Sequence, residues 1–95
     1  MDIEFDPEKD ASNLVKHGIR LARAREFVPV KILTDDRKNY GETRYRGFGF
    51  IGKKAYVLAF TVVDLRTGGQ RVRAISLRPA IEKEIDQYGL TKKGR

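Results

Sequence analysis

The sequence predicts an α+β fold in which a small antiparallel sheet packs against helices. Helix signals occupy the first 28 residues and the segment after Pro79, whereas the middle of the chain consists of alternating or apolar runs separated by turns. Adjacent strands joined by short turns are typical of antiparallel pairing. We therefore expect about four strands plus a short N-terminal strand, with two N-terminal helices and one C-terminal helix, in the order β-α-α-β-β-β-β-α.

The first helix is predicted between Asp6 and Gly18. The preceding run Ile3-Glu4-Phe5 alternates in polarity and indicates a short strand. Asp6 can cap free backbone N–H groups, and Pro7 is tolerated at the first helical position. Gly18 is placed to end the helix in a left-handed conformation. One apolar stripe follows helical spacing: Ala11, Leu14 and Val15.

A second short helix is predicted from Leu21 to Val28, with Pro29 ending it. Its inward-facing residues would be Leu21, Ala24, Phe27 and Val28.

Four strands are expected after Pro29. The first covers Val30 to Leu33, and the second carries Arg44, Arg46, Phe48 and Phe50 on one parity. Ala55 to Val63 is apolar on both parities, which predicts a central strand covered on each side. Gly47 and Gly49 lie inside the second strand and indicate a bulge or a close approach of two backbones. A loop from Leu65 to Gln70 then leads to the last strand, Arg71 to Leu77.

The last helix is predicted to begin at Pro79, with Ile81, Ile85 and Tyr88 facing inward and Gly89 ending it. Residues 1–88 then form a single domain, and residues 89–95 form a short basic tail.

The composition favours a cytoplasmic protein that binds a polyanion. The 95 residues carry a formal net charge of +7, no cysteine and no apolar run long enough to cross a membrane. The acidic start lacks the basic region of a secretory signal. Two Lys or Arg and five Asp or Glu lie in residues 1–18, so the positive charge lies beyond them. This distribution predicts either a nucleic-acid partner or a solvated basic face without function.

The single histidine, His17, is the first candidate for chemistry. It falls in the last turn of the predicted first helix, where the helix dipole favours a cation. An imidazole can act as a general acid or base near neutral pH. The alternative is that His17, like its neighbour Lys16, only interacts with the carbonyl groups at the helix end.

The arginines of the predicted strands are the second candidates. Cleaving RNA without a metal requires a base for the 2′-hydroxyl, cations on the phosphate oxygens and an acid for the leaving oxygen. The planar guanidinium group suits the second task. Arg71 and Arg73 share one face of the last strand, whereas a regular strand would place Arg78 on the other face. Only a helix start at Pro79 would turn Arg78 onto the face of Arg73. The sequence therefore does not predict that Arg73 and Arg78 bind one phosphate.

Other reaction types fit the sequence less well. With one histidine, no cysteine and no acidic cluster at ligand spacing outside the Asp35-Asp36 turn, neither a metal nor another cofactor is expected. Ser12 and Ser76 lack the elbow motif of a serine hydrolase.

Several motifs, in this order and spacing, resemble the BrnT family of bacterial type II toxins. The resemblance covers residues 3–88. The motifs are Phe5-Asp6-x-x-Lys9-x-x-x-Asn13-x-x-Lys16-His17-Gly18, then Ala24 and Phe27, Gly41-Glu42-x-Arg44, Gly49, and Arg73-x-Ile75-Ser76-x-Arg78-x-Ala80-x-x-x-Glu84-x-x-x-Tyr88.

The resemblance implies a RelE-like, metal-independent endoribonuclease that inhibits translation. It also implies neutralisation by a BrnA-type ribbon-helix-helix antitoxin, through which alone the toxin would reach operator DNA. No membrane partner is implied. Carried over by position, the candidate site residues are Lys16, His17, Arg44, Arg73, Arg78 and Tyr88. His17 would transfer a proton, Lys16 and the arginines would bind the phosphate, and Tyr88 would be either a second acid or a core residue.

Two departures from the family pattern concern the predicted site. The family strand that ends Thr-x-Arg corresponds here to Thr61-Val62-Val63, so one arginine is missing unless Arg66 replaces it. Leu77 stands where a small residue is usual. Two alternatives therefore stay open beside the ribonuclease: a non-catalytic module of the same fold that binds nucleic acid or protein, and a toxin that blocks a protein target.

Overall fold

The computed structural model describes residues 2–91 and contains one five-stranded sheet with helices on both sides. The strands are β1 (Ile3–Glu4), β2 (Val28–Asp35), β3 (Arg44–Ile51), β4 (Lys54–Asp64) and β5 (Gln70–Pro79). The helices are α1 (Pro7–His17), a 3₁₀ helix (Leu21–Glu26) and α2 (Glu82–Tyr88). The α+β class and the order of elements are confirmed, whereas the implied relationship to RelE stays a prediction.

The sheet is mixed, and the expectation of a purely antiparallel sheet is wrong. The strand order is β1-β5-β4-β3-β2, and every neighbouring pair is antiparallel except β1 and β5. Consecutive strands from β2 to β5 are joined by short connections, which permit antiparallel pairing. β1 is separated from β5 by most of the chain, so no hairpin constrains its direction.

The predicted central strand is confirmed. β4 lies between β3 and β5, and its residues contribute to the cores on both faces of the sheet. On the face covered by the 3₁₀ helix, Tyr56 and Leu58 pack with Leu21 and Ala24. On the other face, Val57 packs with Phe48 and with residues of α2. The apolar character of both parities of β4 thus follows from burial on both sides.

The predicted apolar stripe of α1 is wrong, because its three residues are exposed. Val15 is 87% exposed, and Asn13 is the buried residue of the helix. The Asn13 side-chain amide donates to the carbonyl oxygens of Ile19 (2.8 Å) and Leu77 (2.7 Å), and its oxygen accepts from the Leu77 N–H (3.0 Å). This amide satisfies backbone groups at the edge of β5, as a further strand would. α1 is therefore anchored by a polar contact at the sheet edge, and an inward apolar stripe is not required.

The second predicted helix is shorter and tighter than expected. It is a 3₁₀ helix that ends at Glu26, and Val28 and Pro29 belong to β2 instead. Leu21 and Ala24 are buried as predicted, whereas Val28 is 62% exposed. Pro29 is tolerated because β2 is an edge strand, and the pairing with β3 is irregular between Pro29 and Lys31.

The predicted close approach of two backbones is confirmed at Gly49. A Cβ atom placed on Gly49 would lie 2.1 Å from the Val28 carbonyl oxygen on β2. Only glycine fits opposite the irregular start of that strand.

The last helix begins later than predicted. Pro79 is the final residue of β5, α2 starts at Glu82, and Ile81 is 57% exposed where an inward position was expected. Ile85 and Tyr88 do pack inward, and Gly89 ends the helix with a φ of 66°. Leu90, which the sequence assigned to the tail, is buried in the core beside them because the turn at Gly89 directs the chain back. The rest of the predicted tail, residues 92–95, lies outside the described residues.

Candidate active site

One face of the sheet carries a group of arginines, and the strand pairing explains why they share it. On β4, Val57, Ala59 and Thr61 alternate onto the same side of the sheet. Their partners across the sheet are arginines: Arg78 is opposite Val57, Arg46 is opposite Ala59, and Arg73 is opposite Thr61. Arg44 shares the parity of Arg46 on β3. We call this side the arginine face, defined by Arg44, Arg46, Arg73 and Arg78.

A β-bulge brings Arg73 and Arg78 to the same side, contrary to the parity of a regular strand. Ala59 pairs with Ser76 and Phe60 pairs with Ala74, which leaves Ile75 as an extra residue on β5. An extra residue reverses the alternation of side chains beyond it. The sequence expectation that only a helix start at Pro79 could bring Arg78 round was wrong. The two arginines lie opposite residues four positions apart on β4, about 13 Å along the strand.

Arg78 is held by α2 at one end of the arginine face. Its guanidinium donates two hydrogen bonds to the Glu84 carboxylate, of 2.8 and 2.7 Å. Glu84 also accepts from the Ile81 N–H at the start of α2 (3.0 Å). The pKa of Glu84 is lowered, chiefly by the hydrogen bonds from Arg78, and the pKa of Arg78 is raised by the same pair.

Tyr88 borders the arginine face from α2. Its ring stacks on Phe48, with 4.0 Å between the ring centroids. The ring therefore belongs to the core that α2 forms with the sheet, which agrees with the inward position predicted for it. Its hydroxyl remains a candidate for chemistry because the residue is only partly buried.

Arg44 lies near the β2–β3 connection, where a buried carboxylate organises the loop. Asp35 accepts two hydrogen bonds from the Arg37 guanidinium (2.7 and 2.9 Å) and one from the Tyr40 hydroxyl (3.3 Å). The hydrogen bonds from Arg37 hold the pKa of Asp35 well below its usual range. Arg44 in turn stacks over the Tyr40 ring at 4.1 Å and forms an ion pair with Glu42 at 3.3 Å. Arg44 is thus oriented by its own loop.

Arg73 lies beside β1, at the end of the arginine face that is farther from Arg78. It forms an ion pair with Glu4 at 2.7 Å, and the hydrogen bond from Arg73 is the main cause that lowers the pKa of Glu4. A groove of about 460 Å³ adjoins this end, with Arg73, Thr61 and Glu42 among its lining residues. The Thr61 hydroxyl donates to the Thr43 carbonyl (2.6 Å), so its role there is to join β4 to the loop before β3.

Arg46 was not selected as a site residue from the sequence, although it lies in the middle of the arginine face. The only sequence signal was the parity that it shares with Arg44. Its Nε atom is buried and has no hydrogen-bond partner among residues 2–91.

The structure does not join Lys16 and His17 to the arginines by direct contact. His17 is partly buried in the last turn of α1, as predicted, and Lys16 is exposed. His17 lies one helical turn beyond Asn13, which holds the backbone of Leu77, the residue before Arg78. Within the described part of the chain, no hydrogen bond or ion pair connects either residue with the arginine face. Arg66, the possible replacement for the missing arginine, lies in the exposed β4–β5 connection.

Residues 2–91 contain neither a cluster of metal-ligating side chains nor a helix that could span a membrane. No three His, Cys, Asp or Glu side chains come close enough together to hold a metal ion. No described helix is long and apolar enough to span a membrane.

The fold and the arginine face define a small α+β protein whose sheet carries four arginines on one face. Residues 5–84 match the family model described as the ribonuclease toxin, BrnT, of a type II toxin–antitoxin system. The chain therefore belongs to the BrnT family, and the predicted family is confirmed. A search of curated proteins found no match. Membership supports endoribonuclease activity and implies an antitoxin partner and an RNA target.

Proposed function

We propose that this protein is a toxin that cleaves RNA without a metal ion and thereby inhibits translation in the cytoplasm. A ribbon-helix-helix antitoxin of the BrnA type would neutralise it and carry the complex to operator DNA. Membership in the BrnT family supports the ribonuclease activity. The single observation that carries the choice of site is the bulge at Ile75, because it places Arg73 and Arg78 on the same face as Arg46.

The chemistry follows from a phosphate bound on the arginine face. The RNA 2′-hydroxyl loses its proton to a base and attacks the adjacent phosphorus, and the bond to the 5′-oxygen breaks as that oxygen takes a proton. Arg44, Arg73 and Arg78 would each bind the backbone phosphate nearest to it, and the arginine at the reacting phosphate would stabilise the charge on its non-bridging oxygens. A single strand of RNA laid along the sheet would meet these cations in turn, since Arg73 and Arg78 lie opposite β4 residues about 13 Å apart along the strand.

The proton transfers are assigned to His17 and Tyr88. His17 would exchange a proton near neutral pH, and Lys16 beside it would attract the phosphate. Support for this placement comes from Asn13, which fixes the last turns of α1 beside the part of β5 that leads to Arg78. Tyr88, held on Phe48, would be the second acid.

A cleavage assay in EDTA tests this proposal. The purified full chain should cut messenger RNA with EDTA present, with or without ribosomes added. His17→Ala should slow cleavage by about 10²- to 10⁴-fold, the usual contribution of a general acid or base, while leaving the circular dichroism spectrum unchanged. Val15→Ala, a change at an exposed position of the same helix, is the matched control and should cut at the wild-type rate.

Two other results would contradict the proposal. Cleavage that disappears in EDTA and returns with a divalent metal would remove the metal-independent mechanism. RNA binding without cleavage, free or on ribosomes, would favour the non-catalytic binding module. The neighbouring gene is a further check: a small ribbon-helix-helix reading frame directly downstream is expected.

A further inference from the structure

Arg46 differs from the other residues of the arginine face in its charge balance. Arg44, Arg73 and Arg78 each form an ion pair with a carboxylate. No such partner is found for Arg46 among residues 2–91, and its buried Nε–H group donates to no acceptor there. A buried donor without a partner costs folding free energy, so Arg46 is not explained by stability alone.

The surroundings of Arg46 carry an excess of positive charge. Glu84 is close enough for Arg46 to lower its pKa, although the hydrogen bonds from Arg78 are the larger cause. Arg37 is also close enough to repel the positive charge of Arg78 and so to lower its pKa slightly. The carboxylate that pairs with Arg37 is Asp35. Arg46 and Arg78 therefore face one carboxylate, Glu84, whose two oxygens are both occupied by Arg78. One more anion would balance this end of the arginine face.

Small residues lie beside Arg46 on the arginine face. Arg46 is opposite Ala59 on β4, and Ala59 is opposite Ser76 on β5, so small side chains form the floor beside the Arg46 guanidinium. Both small residues are partly exposed. The Arg46 side chain is itself held in place, because it is half-buried and its guanidinium carbon lies 5.5 Å from the centre of the Phe48 ring. A fixed, planar cation beside an open floor suits the binding of a phosphate.

We propose that Arg46 and Arg78 form a binding site for one backbone phosphate of the RNA, with Arg46 as the main ligand. This inference rests on the proposed function in taking RNA as the substrate. Arg78 stays bound to Glu84 and contributes through its charge, whereas the Nη atoms of Arg46 donate directly to the phosphate oxygens. Arg46, which was not selected as a site residue from the sequence, would thus be the arginine most available to bind the substrate.

Binding of an RNA oligonucleotide that carries 2′-O-methyl groups tests the inference, because that oligonucleotide cannot be cleaved through its 2′-oxygen. Arg46→Met should weaken its binding by roughly tenfold or more. The slope of log K against log salt should become shallower by about 0.7, the loss of one phosphate contact on a single strand. The melting temperature should stay the same or rise, because the unpartnered donor is removed.

Arg25→Met is the matched control, since it removes the same charge from the 3₁₀ helix on the other side of the sheet. It should leave the salt slope unchanged. Arg46→Lys keeps a cation and most of the stem packing, and its affinity should fall between those of the wild type and Arg46→Met.

The inference is overturned if Arg46→Met and Arg25→Met bind equally well with equal salt slopes, or if the wild type fails to bind the oligonucleotide. It is supported if Arg46→Met alone binds the oligonucleotide more weakly and with a shallower dependence on salt. Because the experiment measures binding, its result does not depend on whether the protein cleaves RNA. A wild type that binds through Arg46 but never cuts unmodified RNA would contradict the proposed function and leave the phosphate site intact.

Discussion

Arg78 and Glu84 join the last strand to the last helix through two parallel hydrogen bonds of 2.8 and 2.7 Å. Glu84 also receives the Ile81 N–H, so one carboxylate orients an arginine and caps a helix at the same time. The arginine face and α2 are therefore coupled: the position of Arg78 depends on a helix that packs beyond the end of β5.

Glu84→Gln should lower the stability of the fold and strengthen RNA binding. The change replaces a charge-assisted pair with weaker hydrogen bonds, and we expect a loss of about 1–3 kcal/mol in the free energy of unfolding. RNA affinity should rise because Arg78 and Arg46 lose the carboxylate that competes for them. Thermal unfolding and binding of 2′-O-methyl RNA measure the two effects. Glu82→Gln is the control, because Glu82 is exposed on the same helix; equal effects from both variants would contradict the coupling.

Asn13→Ala should destabilise the protein more than substitution by alanine at any other position of α1. It leaves the carbonyl groups of Ile19 and Leu77 and the Leu77 N–H without their partner. Unsatisfied buried groups of this kind cost about 2–4 kcal/mol together. Urea unfolding gives the difference. Ser12→Ala, the exposed neighbour, should change the midpoint very little, and a comparable loss in both variants would show that Asn13 has no special role.

The stability of the fold should decline in acid partly through Asp35. The hydrogen bonds from Arg37 place its folded pKa below the ordinary value of 3.8. The unfolded chain therefore takes up a proton at this group first as the pH falls. The stabilisation is fully present above pH 3.8 and is lost as the pH falls toward the folded pKa.

Asp35→Asn should make that acid decline shallower and should lower the stability at neutral pH. Urea midpoints measured from pH 7 down to about pH 2 reveal the difference, since most carboxylates titrate in this interval. Asp36→Asn makes the same change in charge at an exposed position beside it. If the two variants gave the same curve, the ion pair between the buried Asp35 and the exposed Arg37 would not be the cause.

Gly49→Ala should be far more damaging than Gly47→Ala. A Cβ atom at Gly49 would meet the Val28 carbonyl oxygen at 2.1 Å, and backbone of β2 cannot move away cheaply. At Gly47 the nearest atom is on the Phe27 ring, at 3.1 Å, and a side chain can shift. Overpacking usually costs about 1–3 kcal/mol, and we expect Gly49→Ala at or above the upper end of that range. Melting temperatures of the two variants should differ clearly; similar values would contradict the close approach.

Sequence signals over a few residues predicted where α1 starts and where both α-helices end. Asp6 and Pro7 start α1, and Gly18 and Gly89 end the two α-helices with positive φ values. The Asp6 side chain does accept the Glu8 N–H (2.9 Å), as a capping residue should. These features are local because a cap or a left-handed turn is satisfied within a few residues.

Local signals also predicted β4 correctly. They predicted the ends of the other elements less well. Apolar residues on both parities of β4 predicted its central position, because each face needed a cover. Pro29 and Pro79 were taken as helix boundaries, yet both lie in strands. A proline is tolerated where its missing N–H is not needed by a neighbouring strand, and the sheet order alone decides that.

The sequence by itself determined the class of fold, the family and the candidate cations, because periodicity, caps and motif spacing are written along the chain. Only the tertiary structure decided which side chains share a face. The bulge at Ile75 reversed the alternation on β5, and the cross-strand pairing of Arg46 with Ala59 placed an unselected arginine on the same face as Arg73 and Arg78. Such register depends on hydrogen bonds between strands far apart in sequence, so no local pattern specifies it.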